Sequence, residues 1–577
     1  MCACQNTAAK SSEWVPIRPG TDGAVVLAMA HVVMKKGLYD ADFIDKWTNV
    51  SIQELKDHLE QYTPQWAEGV STVSASKITA LAIEFAETKP STIVSYRGAV
   101  GTYNGVNTER AIKTLDAICG NIDVKGGTCH GVGAKWKYPK PSGTHPKGLK
   151  LTDGLKGDSV LPNHHISHRV LKAIKDGSGG EIDTYMVYCY EPVYSNGEVA
   201  ENIEILKNEK LIPYFVMVNP FYSEASALAD LILPDVTYLE RWSWEDMVCY
   251  EMIPEFYLRQ PVVKPLGESR QLQDVFCDIA PRLGIDLGFK SAEEFIHKSC
   301  EKSNIDFEEL KKNGVWHDTN EKPHYMGYAK PIPEKVYKAT NVLFDQETGV
   351  YWNWKKSKAK SREEAEQKGY SGTKYGYKGY VAQKFKHGVF IGFKPDKINK
   401  SGYFEVFSSI LKEKGMDPMP CYMVDPDRKP IGLDELTLIT YKVNVQIHSR
   451  SQNCKWLSEI YHDNPAWINP KTAARMGIED GDEINVKSPV GQIVTKARVT
   501  QSIHPEAIGI SHHCGHWEYG KVASGKSAPG TIPMDSDENR IWWSDRGAHP
   551  NWIIANAPDP IGGQLRFSDT IVKVSKV

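Results

Sequence analysis

The longest apolar run of the chain extends from Ala24 to Met34, is interrupted by His31 and stops at Lys35, Lys36 and Gly37. Pro16 and Pro19 stiffen the approach to it, Gly20 allows a close backbone contact, and Thr21 or Asp22 stands where a helix cap belongs. The pattern predicts a helix from about residue 22 to 36, with cations in its last turn and glycine as terminator. Helical spacing recurs over 52–62 and 76–88, the β-like run STIVSY covers 91–96, and another helix is predicted over 107–119, ending at Gly120. A second alternation follows. TYMVYCY (184–190) and PYFVMV (213–218) read as strands, 199–207 and 223–229 as helices, and 231–233 as a short strand. Helices alternating with short buried strands indicate α/β layering on a parallel sheet, and such units hold nucleotide-like ligands above their strand ends.

Two stretches break this rhythm. Between about residues 320 and 409 the periodicity fades into Lys, Tyr and Gly, as in KGYSGTKYGYKGYVAQKFKHG. Lysines interleaved with Tyr370, Tyr375, Tyr377 and Tyr380 resemble a base-stacking surface. With a net charge of −3 for the whole chain, an irregular surface insertion is the better reading, and no nucleic-acid partner is assigned. From Leu436 onward the signals are β: GDEINVKSPVGQIVTKARVT alternates apolar and polar residues around a Pro-Val-Gly turn, a hairpin of a small barrel or sandwich.

At 577 residues, with 41% hydrophobic and 24% charged residues, the chain has material for several cores. No apolar run is long enough to span a bilayer, so no direct membrane insertion is expected. The opening MCACQNTAAKSSEW has no basic segment leading into an apolar one, which predicts a cytoplasmic chain as written. Eleven cysteines without a single C-x-x-C argue against a disulfide scaffold and against an iron–sulfur cluster on a compact motif.

Candidate chemistry concentrates in two loops. ISHHCGHWEYG offers His512, His513, Cys514 and His516, ligand types that suit zinc. Their spacing does not match paired ligands on a knuckle, so the loop reads better as the lining of a polar pocket shaped by Gly515, and no metal ligand is assigned. NVQIHSRSQN (444–453) is dense in donors suited to ring nitrogens, carbonyls and phosphates, with Arg450 for the last, though a solvated edge strand looks similar. Glu240, Glu245 and Asp246 in YLERWSWED look like an acidic surface turn. No nucleophile elbow, Walker loop or G-x-G-x-x-G fingerprint occurs, and the catalytic residues stay unknown.

The segments WVPIRPGTDGAVVLAMAHVVMKKGLYD, RGAVGTYNGVNTERAIKTLDAICGNIDVKGG, VNPFYSEASALADLILPDVTYLER and NPKTAARMGIEDGDEINVKSPVGQI together resemble the dimethyl sulfoxide reductase family of molybdopterin oxidoreductases, in that family's order. ISHHCGHWEYG and the ending NAPDPIGGQLRFSDTIVKV resemble its polysulfide, thiosulfate, tetrathionate and arsenate reductase branch. The resemblance implies an α/β fold of two parallel-sheet, dinucleotide-binding-like domains followed by a C-terminal β-barrel. Residues 1–130 would bind one molybdopterin guanine dinucleotide, 131–430 would form the second α/β domain with the insertion at about 320–409, and 431–577 the molybdopterin dinucleotide-binding barrel. The implied cofactor is bis-molybdopterin guanine dinucleotide with molybdenum or tungsten.

By the same resemblance Gly20, Thr21 and Asp22 would hold one guanine end, and Asn219, Ser223 and Glu224 would lie near the other dinucleotide. His448, Arg450, Ser451, His512, His513, Gly515, His516 and Trp517, joined by Asn556 and Gln564, would face the pterins. Glu191 departs from the pattern, since an acidic side chain beside a pyrophosphate is unfavourable. Family members carry a [4Fe-4S] domain and a metal-ligand residue ahead of the PIRPGTD motif. The chain therefore reads as the C-terminal portion of a catalytic subunit, and Cys2 and Cys4 are not assigned to the metal. Alone, it is expected neither to hold molybdenum stably nor to reduce a substrate. The implied partners are a membrane-anchor subunit plus an iron–sulfur electron-transfer subunit, in a periplasmic complex if the full protein carries a twin-arginine signal. Alternatives are a non-catalytic dinucleotide- or partner-binding remnant, and a hydratase of the same family.

Overall fold

A computed structural model describes residues 2–129, 131, 133, 136–142, 159–161, 166–178, 180–248, 252–356, 359–367, 379–395, 399, 401–426, 431–452, 454–518 and 548–577. The chain divides into two units. One contains residues 15–130 and 324–428, the other 2–14, 131–323 and 429–577.

In the first unit the apolar run becomes the helix Asp22–Lys36, buried on nearly all sides from Gly23 to Met34. It packs against helices Ile52–Leu59, Pro64–Ser71, Ala75–Glu87 and Gly105–Ile118, which explains an apolar pattern too continuous for a surface helix. Gly37 closes it in the left-handed conformation, its N–H donating to Val33 O. Neither expected side-chain cap forms: Thr21 Oγ1 donates to Arg18 O (2.7 Å), because the turn at Gly20 (φ 78°) brings that carbonyl within reach.

The STIVSY segment is not a strand. Val94 is 94% exposed and Tyr96 77%, and among the described residues no strand pairs with it. Its Ser91 is instead tied to Phe85 O and Asn121 Nδ2, so the alternation is that of an extended connector. Within 320–409, the antiparallel strands Val342–Phe344, Val350–Asn353, Tyr380–Phe385 and Gly388–Phe390 form a sheet around the fully buried Trp352. These strands are too short for period-two alternation to stand out in the sequence. Tyr380 starts one of them, whereas Tyr370, Tyr375 and Tyr377 lie outside the described residues.

The second unit contains the parallel sheet. Strand Tyr214–Asn219 is central, between Thr184–Tyr188 and Leu231–Pro234, and the helix Val199–Leu206 makes the crossover. Phe215, Val216, Met217 and Val218 are all buried, as a central parallel strand covered on both faces requires. The expected helix over 223–229 shortens to a single 3-10 turn, Ser226–Leu228. Glu245 and Asp246 lie on a strand, Ser243–Val248, paired with Pro254–Arg259. Only Glu240 closes a turn, accepting from Thr237 N and Leu266 N. Six strands form a closed barrel in the order Glu435–Tyr441, Ala507–Ser511, Ala466–Ile468, Gly491–Val499, Glu483–Ser488, Thr570–Lys576. The predicted hairpin is present, with Ile484 opposite Thr495 and Val486 opposite Ile493. Leu436, Leu438, Ile468, Ile484, Val486, Ile508 and Ile510 fill the barrel, each contributing about 1.5–3 kcal/mol by burial.

Candidate functional site

The loop after barrel strand Ala507–Ser511 carries the dense histidines, and its path is set by neighbours rather than by its own sequence. Asn464 donates to Ser511 O (2.7 Å) and Ala548 O (2.6 Å) and accepts from Ser511 N, fixing where the chain leaves the barrel. Gly515 has φ 98°, and a Cβ there would sit 2.6 Å from the Ala548 carbonyl carbon, so only glycine fits this turn.

Beyond Gly515 the loop is held by a buried contact between His516 and Glu224. His516 Nδ1 lies 2.9 Å from both Glu224 oxygens and its Nε2 2.8 Å from Ser449 O; both side chains are fully buried. Both ring nitrogens face acceptors, so the imidazole is anchored from two sides. Burial alone would raise the Glu224 carboxyl; the charge and hydrogen bond of His516 and the Trp517 amide outweigh it and hold the group below its ordinary value. Tyr194 is stacked between His516 and His549, each at 3.7 Å between centroids, and its hydroxyl donates to Cys514 O. Trp517 packs on Trp552.

Glu191, the residue at odds with an anionic ligand, turns inward. Ser223 Oγ donates to it at 2.6 Å and Ala225 N at 3.0 Å, and burial, with the nearby Glu224 charge, pushes its pKa up to about 8. At neutral pH it is predominantly uncharged, so it adds no full negative charge above the sheet. Two carboxyls close together have been driven to opposite protonation states by their surroundings.

The 444–453 segment folds back beside this loop. Ser451 Oγ accepts from Ile447 N and donates to Gln446 Oε1, closing a turn that presents the 3-10 segment His448–Arg450. His448 and Arg450 are exposed, and Asn453 lies outside the described residues. His448, His512 and His513 converge, with ring centroids 4.3–5.5 Å apart. Burial lowers all three; His513 drops to about 4 and His512 to about 2, so both are neutral at physiological pH.

The remaining expected residues are placed as follows. Asn219 ends its strand and caps Phe221 N through its Oδ1. Asn556 donates to Gly197 O (2.9 Å), and half-buried Gln564 lies in the following turn, its carbonyl accepting from Asp559 N. In the other unit, Gly20, Thr21 and Asp22 form the entry to helix Asp22–Lys36, where burial raises the Asp22 carboxyl. Beside this entry lie two residues that sequence reasoning missed: Thr102 Oγ1 and Asn104 Nδ2 are buried without a hydrogen-bond partner among the described residues. An added Cβ on Gly23 would lie 3.2 Å from Asn104 Nδ2. Tyr194, Asn464, His549 and Asn551 were likewise missed, being scattered single polar residues without a motif, whereas Gln452 belongs to the donor-rich stretch 444–453.

Comparison with known proteins decides the family. The sequence profile described as Molybdopterin oxidoreductase matches residues 2–282, and that of the Molydopterin dinucleotide binding domain matches 436–571. This chain belongs to the molybdopterin oxidoreductase family. It is 22% identical to a sulfite dehydrogenase chain of Allochromatium vinosum, over 98% of this chain and 73% of that protein. It is 27% identical to the thiosulfate reductase molybdopterin-containing subunit of Salmonella typhimurium, over 96% of this chain and 67% of that protein. Dimethyl sulfoxide reductases and arsenate respiratory reductases are also among its relatives. The acetylene hydratase structure from Pelobacter acetylenicus shares the fold, with a TM-score of 0.69 at 18% identity, covering 100% of this chain and 73% of that one.

The family's cofactor is molybdenum bis-molybdopterin guanine dinucleotide, and this molybdopterin oxidoreductase has the donor set such a group needs. Beside the barrel, His512 Nδ1, both nitrogens of His513, Gln452 Nε2, Asn551 Oδ1 and Asn556 Oδ1 are buried without hydrogen-bond partners among the described residues. Unsatisfied buried polar atoms are costly and rare, and a polar heterocycle rich in donors and acceptors would satisfy them. The residues present fit the group. Among the described residues no helix is long and apolar enough to cross a membrane.

Proposed function

We propose that this chain provides the cofactor-holding body of a catalytic subunit that reduces a sulfur compound or oxyanion in anaerobic respiration, of the class of polysulfide, thiosulfate, tetrathionate or arsenate. The observation that carries the reading is the concentration of partnerless buried polar atoms on loops beside the barrel and the parallel sheet. In this reading His448, Arg450, Ser451, His512, His513, Gly515, Trp517, Asn556 and Gln564 face the pterins. Asn219 and Ser223 flank one dinucleotide, and Gly20, Thr21 and Asp22 hold a guanine. Glu224 and His516 act from behind, because their polar atoms are already used on each other and on the loop. When bound, the cofactor supplies two-electron and atom-transfer chemistry, while the protein positions it and tunes its surroundings. Neutral imidazoles next to exposed Lys442 and Arg450 make the loop surface mildly electropositive, which favours an anionic substrate. An iron–sulfur electron-transfer subunit is the proposed redox partner, with a membrane-anchor subunit in the assembled complex.

The test is elemental analysis and pterin extraction on the protein purified with its complex from a molybdenum-replete host, followed by oxidation of a reduced viologen dye. One molybdenum and two pterin dinucleotides per chain, with turnover on at least one of the four substrates, is the expected result. Protein without pterin, or loaded protein inert to all four, refutes the reading.

A further inference from the structure

One buried tyrosine ties together the two segments that carry the partnerless donors. Tyr194 lies between strand Thr184–Tyr188 and helix Val199–Leu206 and is fully buried. A buried tyrosine hydroxyl needs a partner, and this one donates to Cys514 O at 2.9 Å, one residue past His513. Asn464 Nδ2 reaches the same carbonyl at 3.4 Å, and His549 Nδ1 lies 3.2 Å from it. The backbone carbonyl of Tyr194 in turn accepts from Asn551 Nδ2 at 2.7 Å, with His549 Nε2 2.8 Å away. We propose that Tyr194 is a positioning residue that sets the pose of the pterin-facing loop 512–517 against the segment 549–556. The inference rests on the cofactor reading above and names the side chain that holds its donor set in place.

The geometry leaves the loop little freedom. A carbonyl oxygen has two lone pairs, and three polar groups converge on that of Cys514, so its peptide plane is fixed from several directions. The tyrosine ring adds a second constraint. It stacks 3° from the plane of His516 and 19° from that of His549, with centroids 3.7 Å apart on both sides. Rings in contact at that spacing cannot tilt without a clash or a void. His513 has no side-chain hydrogen bond among the described residues, so the aim of its ring follows the backbone that Tyr194 grips. Packing alone would be served by phenylalanine. The hydroxyl is what reaches the loop backbone, and it does so next to the residue whose nitrogens await a partner.

The test compares the parent with Tyr194→Phe, which keeps the stack and loses the hydroxyl, each purified with its complex from a molybdenum-replete host. Thr472→Val is the control: it removes a buried hydroxyl that donates to Pro505 O, before the far end of strand Ala507–Ser511. The readouts besides turnover are the rate of pterin release on dilution and the Mo(V) electron paramagnetic resonance spectrum. Tyr194→Phe should release pterin about five-fold faster, as the loss of one net hydrogen bond implies, and shift the Mo(V) spectrum. Its kcat should fall by more than its KM changes. In the full chain made without molybdopterin, hydrogen exchange over 512–517 should quicken while the barrel strands stay protected. Thr472→Val should match the parent in release and spectrum. A Tyr194→Phe protein that matches the parent in both, or a Thr472→Val protein that reproduces its changes, overturns the proposal. Exchange that quickens across the barrel as well marks general loosening and overturns it too. A parent without pterin refutes the cofactor reading and this inference with it, whereas a loaded parent with an unaltered Tyr194→Phe variant refutes this inference alone.

Discussion

Glu191 and Glu224 show how single residues set the electrostatics of the site. Glu224 is held ionised by His516, whereas Glu191, close enough to feel that charge, is pushed up to about 8 by burial and by Glu224 itself. A carboxyl whose folded pKa exceeds its ordinary value stabilises the fold fully below that ordinary value, and the contribution is lost as pH rises through about 8. Melting temperature measured from about pH 5 to about pH 9 should therefore decline on the alkaline side in the parent and decline less in Glu191→Gln. The variant should melt about 2–4 °C higher at the alkaline end. Parallel curves for the two proteins would contradict the assignment. Glu224→Gln should act in the opposite sense: it strips the charge from a buried pair and should cost about 3–5 kcal/mol near neutrality, read by denaturant unfolding. Both residues could be found in the sequence, but not their roles, because protonation follows from the company a carboxyl keeps after folding.

The elements that determine the site are the strand ends and the loops after them. Asn464 joins the exit of strand Ala507–Ser511 to the segment at Ala548, and its amide satisfies three backbone groups. Asn464→Ala strands those groups in a buried setting and should destabilise the second unit by about 2–4 kcal/mol, measured by chemical denaturation. An unchanged midpoint would show that the loop is held elsewhere. Helix Asp22–Lys36 and hairpin Glu483–Val499 could be read from the sequence because their signals are local: a terminated apolar run, and strict alternation about a turn. STIVSY misled for the same reason. Alternation marks an extended segment, but a strand also needs a partner, and Val94 and Tyr96 face solvent instead of a neighbour.

For the whole molecule, the partnerless polar atoms beside the barrel predict that the protein without its cofactor is less stable than the loaded one. A ligand bound only by the folded state raises stability with its saturation, by about 2.7 kcal/mol at a hundred-fold excess over Kd. Loaded protein from the molybdenum-replete host should melt several degrees above the same chain from a host lacking molybdopterin. Equal melting temperatures would mean that these atoms do not meet the cofactor.

The sequence by itself determined the class of fold, the family and the loops that carry the donors, since helix ends, strand alternation and the ISHHCGHWEYG and PIRPGTD stretches are properties of neighbouring residues. Only the tertiary structure decided what those donors do. His516 is spent on Glu224, Glu191 is turned inward and largely protonated, and His448 is brought beside His512 and His513 by the parallel pairing of the strands that precede them. Each outcome depends on burial and on contacts between residues far apart in the chain, and none is encoded in local spacing.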